Sequence, residues 1–164
     1  MRWLPTLTLL AVCSCGGVDP AGRSTEEYPA NYAANEIVNG MMLRNAFVIG
    51  GAAGQPMQAG SNAPVYLALY NQRGQTDELI SVSAAPVFSG ASIPGGELPV
   101  QPGQLAGGGL QPQAVLTGLT RQLRSGSYIP VVFTFRDAGT LKKQVPVLPP
   151  SQWRTPFSPA PQSP

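Results

Sequence analysis

SYIPVVFTFRDAG, residues 127–139, places Ile129, Val131, Phe133 and Phe135 on one face at a period of two, which is the signature of a strand with one side against a core. Pro130 lacks an N–H, so this strand begins near it or runs along an edge there. Arg-Asp-Ala-Gly then turns the chain into GTLKKQVPV (139–147), where Leu141, Val145 and Val147 stay in phase. Lys143 falls on that same face, and this points to a bulge or an exposed strand end.

Working back toward the N-terminus, the pattern repeats. APVYLALYN (63–71) sets Val65, Leu67 and Leu69 against Tyr66, Ala68 and Tyr70. Both faces are apolar, as in a strand at the centre of a sheet. MMLRNAFVIG (41–50) places Leu43, Phe47 and Ile49 on one face with Asn45 in phase, and DELISVSA (77–84) follows the turn NQRGQT. Nineteen glycines and eighteen prolines in 164 residues punctuate these runs and disfavour long helices. Seven or eight short strands at this spacing predict an all-β, antiparallel Greek-key β-sandwich over residues 37–148.

The ends read differently. MRWLPTLTLLAVCSCGG carries Arg2 before an apolar run of about ten residues, Trp3 to Val12, the layout of a secretory signal and too short to span a bilayer. Cys13 and Cys15 are the only cysteines, two residues apart, so a bridge between them would be strained and neither can staple the domain. The segment resembles a bacterial lipobox. Ser14 before Cys15 fits the small residue that precedes the lipidated cysteine, and Cys13 after Val12 is the alternative. Residues 1–14 are thus expected to be a lipoprotein signal peptide, and two acyl chains on Cys15 to anchor the chain to the outer face of the cytoplasmic membrane. Residues 15–36 show no apolar periodicity and read as a flexible tether, with Glu26 and Glu27 as solvated carboxylates. Residues 149–164, with six prolines in sixteen residues, read as an extended or disordered tail, and the sequence leaves open whether Trp153 and Phe157 fold back on the domain.

Composition excludes several chemistries. Only 11% of residues are charged, the formal net charge is +2 and there is no histidine. The basic footprint of a nucleic-acid binder is missing. General acid–base catalysis near neutral pH loses its usual agent, and no serine has a histidine to activate it. Asp77 and Glu78 adjoin a turn, point to opposite faces as strand neighbours, and read as solvated turn carboxylates. GGAAG (50–54) and GGG (107–109) lack the Gly-Lys-Ser/Thr of a phosphate loop and read as turns. No catalytic residue is assigned. Zinc would want Cys or His, and the predicted domain has neither. Thioethers can hold Cu(I), but Met41 and Met42 are strand neighbours whose side chains diverge, and Met57 stands alone.

APVYLALYNQRGQTDELISVSA (63–84) and LTGLTRQLRSGSYIPVVFTFRDAGTLKKQVPV (116–147) resemble two segments of the PCu(A)C periplasmic copper-chaperone family, one built on A-x-x-Y-x-x-x-x-N…D-x-L and the other opening L-x-G-L. The nearest likeness is to LpqE-type lipoproteins of actinobacteria, and it covers about residues 39–147. The resemblance implies a cupredoxin-like Greek-key sandwich. It also implies a Cu(I) site of two His and two Met, one His-x-Met pair standing just before L-x-G-L. That alignment puts Gln113 at the His and Val115 at the Met, with the other His position near Pro94 in ASIPGGELPV. No metal ligand and no cofactor is therefore assigned. LAGGGLQPQAVLTGL (105–119) corresponds to the arm on which relatives mount copper, and the loops around Pro94, Gln111 and Gln113 become the candidate binding end, where the side chains of Gln111 and Gln113 are available to hydrogen-bond a partner. The expected function is a non-catalytic, lipid-anchored binding or scaffolding domain touching an envelope protein or cell-wall component. Cu(I) handling through Met41, Met42 and Met57, or with ligands from a partner, is the alternative.

Overall fold

The structure, a computed structural model, describes residues 33–157. Cys13, Cys15 and the Glu26–Glu27 pair lie outside the described residues. The described chain is all-β, with ten strands: β1 (Ala34–Val38), β2 (Met41–Ile49), β3 (Ala63–Asn71), β4 (Asp77–Ser83), β5 (Phe88–Ser92), β6 (Leu98–Val100), β7 (Leu105–Gly107), β8 (Ala114–Leu119), β9 (Tyr128–Phe135) and β10 (Thr140–Leu148). They form one hydrogen-bonded path, β5-β8-β3-β2-β10-β9-β4-β6, with β1 added to β2 and β7 to β3.

The path curls because β10 changes partners. Its first seven residues pair antiparallel with β9, and its last two, Val147 and Leu148, pair with Val48 and Ile49 of β2. That second contact is parallel, so the sheet is not antiparallel throughout as the sequence suggested. The concave side encloses the core, where Phe133, Phe135, Leu67, Leu69, Leu79, Leu116 and Ile129 are at most 2% exposed. Each such side chain contributes roughly 1.5–3 kcal/mol by leaving water.

β9 alternates as its sequence requires, with Ile129, Val131, Phe133 and Phe135 buried. Pro130 fits because β4 stops pairing at Ser83↔Val132, so at Pro130 only β10 lies alongside. β3 is central, with β2 on one side and β8 and β7 on the other, which accounts for its two apolar faces.

Four local expectations need correction. First, Leu43, Phe47 and Ile49 do not share a face. The β2–β3 register shifts between Arg44 and Phe47, and Asn45 sits at φ 51. This bulge reverses the alternation, so Met41, Leu43, Ala46 and Val48 enter the main core while Phe47 and Ile49 join a second cluster with Tyr66 and Leu148. Second, the last three residues of the stretch read as tether, 34–36, open β1, whose Ala34–Val38 pair with Met41–Ala46. Third, Lys143 lies in an unbroken β9–β10 register, mid-strand, where its Nζ reaches Glu36 of β1 at 2.9 Å. An ion pair across to β1, and no bulge, accommodates a lysine in phase with the core. Fourth, residues 149–157 are not extended. A 3-10 turn at Gln152–Arg154 folds them back, and the Phe157 ring lies 4.7 Å from Tyr66 and 5.3 Å from Phe47, edge-on to both. The second cluster is separate from the main core, and Phe157 and Ala33 pack against it.

Candidate functional site

The arm between β7 and β8 is positioned by a gap in the ladder of β3. β8 pairs with Ala63–Val65 and β7 with Ala68–Tyr70, leaving Tyr66 and Leu67 without a strand on that side. The arm closes the gap. Gly108 N–H donates to Leu67 O at 2.8 Å and Gln113 N–H to Val65 O at 3.0 Å. The side-chain Oε1 of Gln113 accepts the Leu67 N–H at 3.0 Å, and its Nε2 donates to Gln111 O at 2.6 Å. The primary amide thus stands in for a missing stretch of strand. Gly107 permits the close approach: at φ +79, a Cβ there would lie 2.5 Å from Leu67 O and 3.0 Å from Gln113 Cγ.

Both ends of the Gln113 amide are thus engaged within the chain, one accepting and one donating. Val115 is buried, opposite Pro64 of β3 and Ser92 of β5. Pro94 and Gln111 are exposed. The β5–β8 register ends at Ser92↔Val115, so Pro94 follows the end of β5 and Gln113 precedes the start of β8. The structure thus gathers the predicted loop residues at one end of the β5–β8 pair. It adds two that the sequence reading passed over: Leu105, 62% exposed, and Leu110, 50% exposed, flank the three glycines of the arm. Leucine in a Gly-rich run reads as core from pattern alone, and only the path of the arm turns these two outward. On the neighbouring loop, Arg136 pairs with both Glu97 and Glu78 and ties the segment after β5 to β9 and β4. Both glutamates raise the Arg136 pKa further.

The donors at these positions do not fit copper. Pro94 offers no side-chain donor, Val115 is aliphatic, and the Gln113 oxygen already accepts an N–H. The thioethers do not converge. Met41 opens β2 and is buried, while Met57 bridges to Leu123 with its sulfur 3.7 Å from a Cβ placed on Gly50, beyond the other end of β2. At about 3.3 Å per residue the two are some 25 Å apart along the strand. Met42 Sδ accepts a weak bond from Arg44 at 3.7 Å. Among the described residues no three of His, Cys, Asp and Glu are grouped to hold a metal.

Asp77 is not a solvated turn carboxylate. It is 1% exposed and accepts the N–H groups of Glu78 at 2.8 Å, Asp137 at 3.0 Å and Ala138 at 2.8 Å, with Arg73 at 3.8 Å. Burial alone would raise its pKa, but the Asp137, Glu78 and Ala138 donors and the Arg73 charge together hold it below the ordinary value. It fastens the β9–β10 turn. Asn71, fully buried six residues earlier in the chain, donates to Gln75 O and Val100 O and accepts from Arg73 N–H. These are structural duties. No described helix is long and apolar enough to cross a membrane.

Comparisons with known proteins agree with this architecture. No curated protein matches the chain. Among solved structures, the copper-bound PCuAC domain from PmoF2 is similar at 18% identity, covering 71% of this chain and 99% of that domain with a TM-score of 0.58. The apo PCuAC domain from PmoF1 is similar at 18% identity, covering 71% of this chain and 100% of that domain, also with a TM-score of 0.58. At such identity the likeness is one of fold. The family model LpqE-like, described as "Putative lipoprotein LpqE-like", matches residues 41–147, from the start of β2 to the end of the β10 core segment, and the chain belongs to that family.

Proposed function

We propose that this protein is a non-catalytic binding module of the cell envelope, held at the outer face of the cytoplasmic membrane by a lipid on Cys15 (Cys13 is the alternative). In this reading the copper-mounting arm of related domains has become a closed, metal-free docking end, and the curled sheet is a variant of the cupredoxin-like Greek-key sandwich. The observation that carries the reading is the Gln113 amide, which mends the β3 ladder where a metal ligand would have to point outward. Membership in a lipoprotein family and the signal-like N-terminus support the anchor. Pro94, Leu110 and Gln111 present an apolar edge and a free amide at the β5–β8 end, which suits an envelope protein or cell-wall component.

The test has two arms. Expression of the full chain in a lipidating host, with an alkyne fatty acid for labelling, should give a labelled, membrane-associated protein. Cys15→Ala should abolish both label and retention. Label lost only on Cys13→Ala would move the anchor to that residue, and an unlabelled cytoplasmic protein would end the proposal. A photo-crosslinking residue at Leu110 should then capture a discrete envelope component that the same residue at Ile80 does not. The same yield from both positions would remove the docking end.

A further inference from the structure

We propose that a groove between β1 and β10, on a different part of the domain from the Gln113 arm, binds an uncharged chain of N-acetylated sugars. The groove exists because β1 pairs only with β2, and β10 pairs with β9 up to Pro146 before turning to β2. The two strands face each other without a ladder between them. The space left is about 280 Å³, lined by Asn35, Tyr128, Lys143, Gln144 and Pro146 among others. That lies just below the roughly 300 Å³ at which enclosed small-molecule clefts begin, which suits a partly open seat for one or two rings of a longer chain.

The lining chooses the ligand. Tyr128 is 59% exposed in a strand whose alternate positions are buried, and it stands opposite Pro146 in the β9–β10 register. Within the described residues its hydroxyl has no hydrogen-bond partner, and neither has the Gln144 amide. An aromatic ring with a polar tip, next to an unengaged amide, offers an apolar plane plus donors and acceptors. Asn35 belongs to the wall: its side chain donates to Ala33 O and accepts the Asn45 N–H. Lys143 is matched by Glu36, which neutralises the rim and leaves two of the three ammonium donors for hydroxyl oxygens.

A phosphate or acidic peptide would meet a lysine already paired and a carboxylate beside it. A purely apolar ligand would bury the Gln144 amide without a partner, at a cost of about 1–3 kcal/mol. A pyranose ring satisfies both demands: its C–H face lies on the Tyr128 ring while its hydroxyls reach Lys143. An N-acetyl group can both accept from and donate to Gln144. Neither the lipid anchor nor the docking end is needed for this site, so their failure and its failure are separable.

The experiment titrates the full chain, purified in mild detergent, with chitotetraose, a neutral β-linked N-acetylglucosamine oligomer, by calorimetry. Saturable binding is expected. Tyr128→Ala should weaken it about tenfold, the weight of one aromatic anchor, while Tyr128→Phe, which keeps the plane and the fold, should retain most of it. Gln144→Ala should weaken binding to N-acetylated sugars more than to cellotetraose, and Leu110→Ala should change nothing. Absence of saturable binding, binding indifferent to Tyr128→Ala, or tighter binding of an acidic peptide or anionic polymer would each overturn the assignment.

Discussion

The side-chain oxygen of Gln113 accepts the backbone N–H of Leu67 at 3.0 Å, forty-six residues away in sequence. One amide thereby completes the edge of the central strand. Gln113→Ala should leave the Leu67 N–H and the Gln111 carbonyl without these bonds and cost about 1–3 kcal/mol. Denaturant titration checks the size, and faster amide exchange at Leu67 than at Leu69 checks the place.

Copper follows from the same residue. With the Gln113 oxygen engaged and Met41 buried at the far end of β2 from Met57, the chain is expected not to compete with a Cu(I) chelator. Met42→Leu and Met57→Leu should leave that result unchanged. Tight one-to-one capture abolished by either change would restore the metal-handling alternative.

Acid stability should track Asp77. Its folded pKa lies below the unfolded value of about 3.9, so its contribution is full above that value and disappears as pH falls through the lower folded pKa. Asp77→Asn should lower stability by about 2–4 kcal/mol at pH 7, because an amide presents an N–H to one of three N–H donors. The variant's stability should also be flatter below pH 4, as read by urea unfolding across the acid range.

The C-terminal clasp should be measurable through Tyr66. Burial pushes its hydroxyl up to about 12, and Phe157 packs edge-on to its ring at 4.7 Å. Phe157→Ala should cost about 1–2 kcal/mol and bring the phenol back toward 10, read as phenolate absorbance against pH.

The ion pair of Lys143 with Glu36 is a surface pair, so Lys143→Met should shift the melting temperature little. Its larger effect should be on the sugar groove, where it removes a donor without touching the Tyr128 plane.

Strand content, the central position of β3 and the burial face of β9 were legible in the sequence, because side-chain alternation follows directly from backbone geometry and needs no knowledge of neighbours. The family likeness agreed with the family model over residues 41–147. Alternation failed at Asn45, where an extra residue in β2 reversed the parity, a change visible only against the pairing with β3. The charge on Asp77 suggested solvent. Its burial depended on three N–H groups, two of them from a turn some sixty residues away. Local pattern identified the long strands β3, β9 and β10 and the face that β9 hides. Tertiary structure alone decided that a glutamine is a latch, that a Pro-rich tail is a clasp and that two unladdered strands leave a groove. Each of these rests on partners distant in sequence, and the energy of such a contact is recorded in no single stretch of chain.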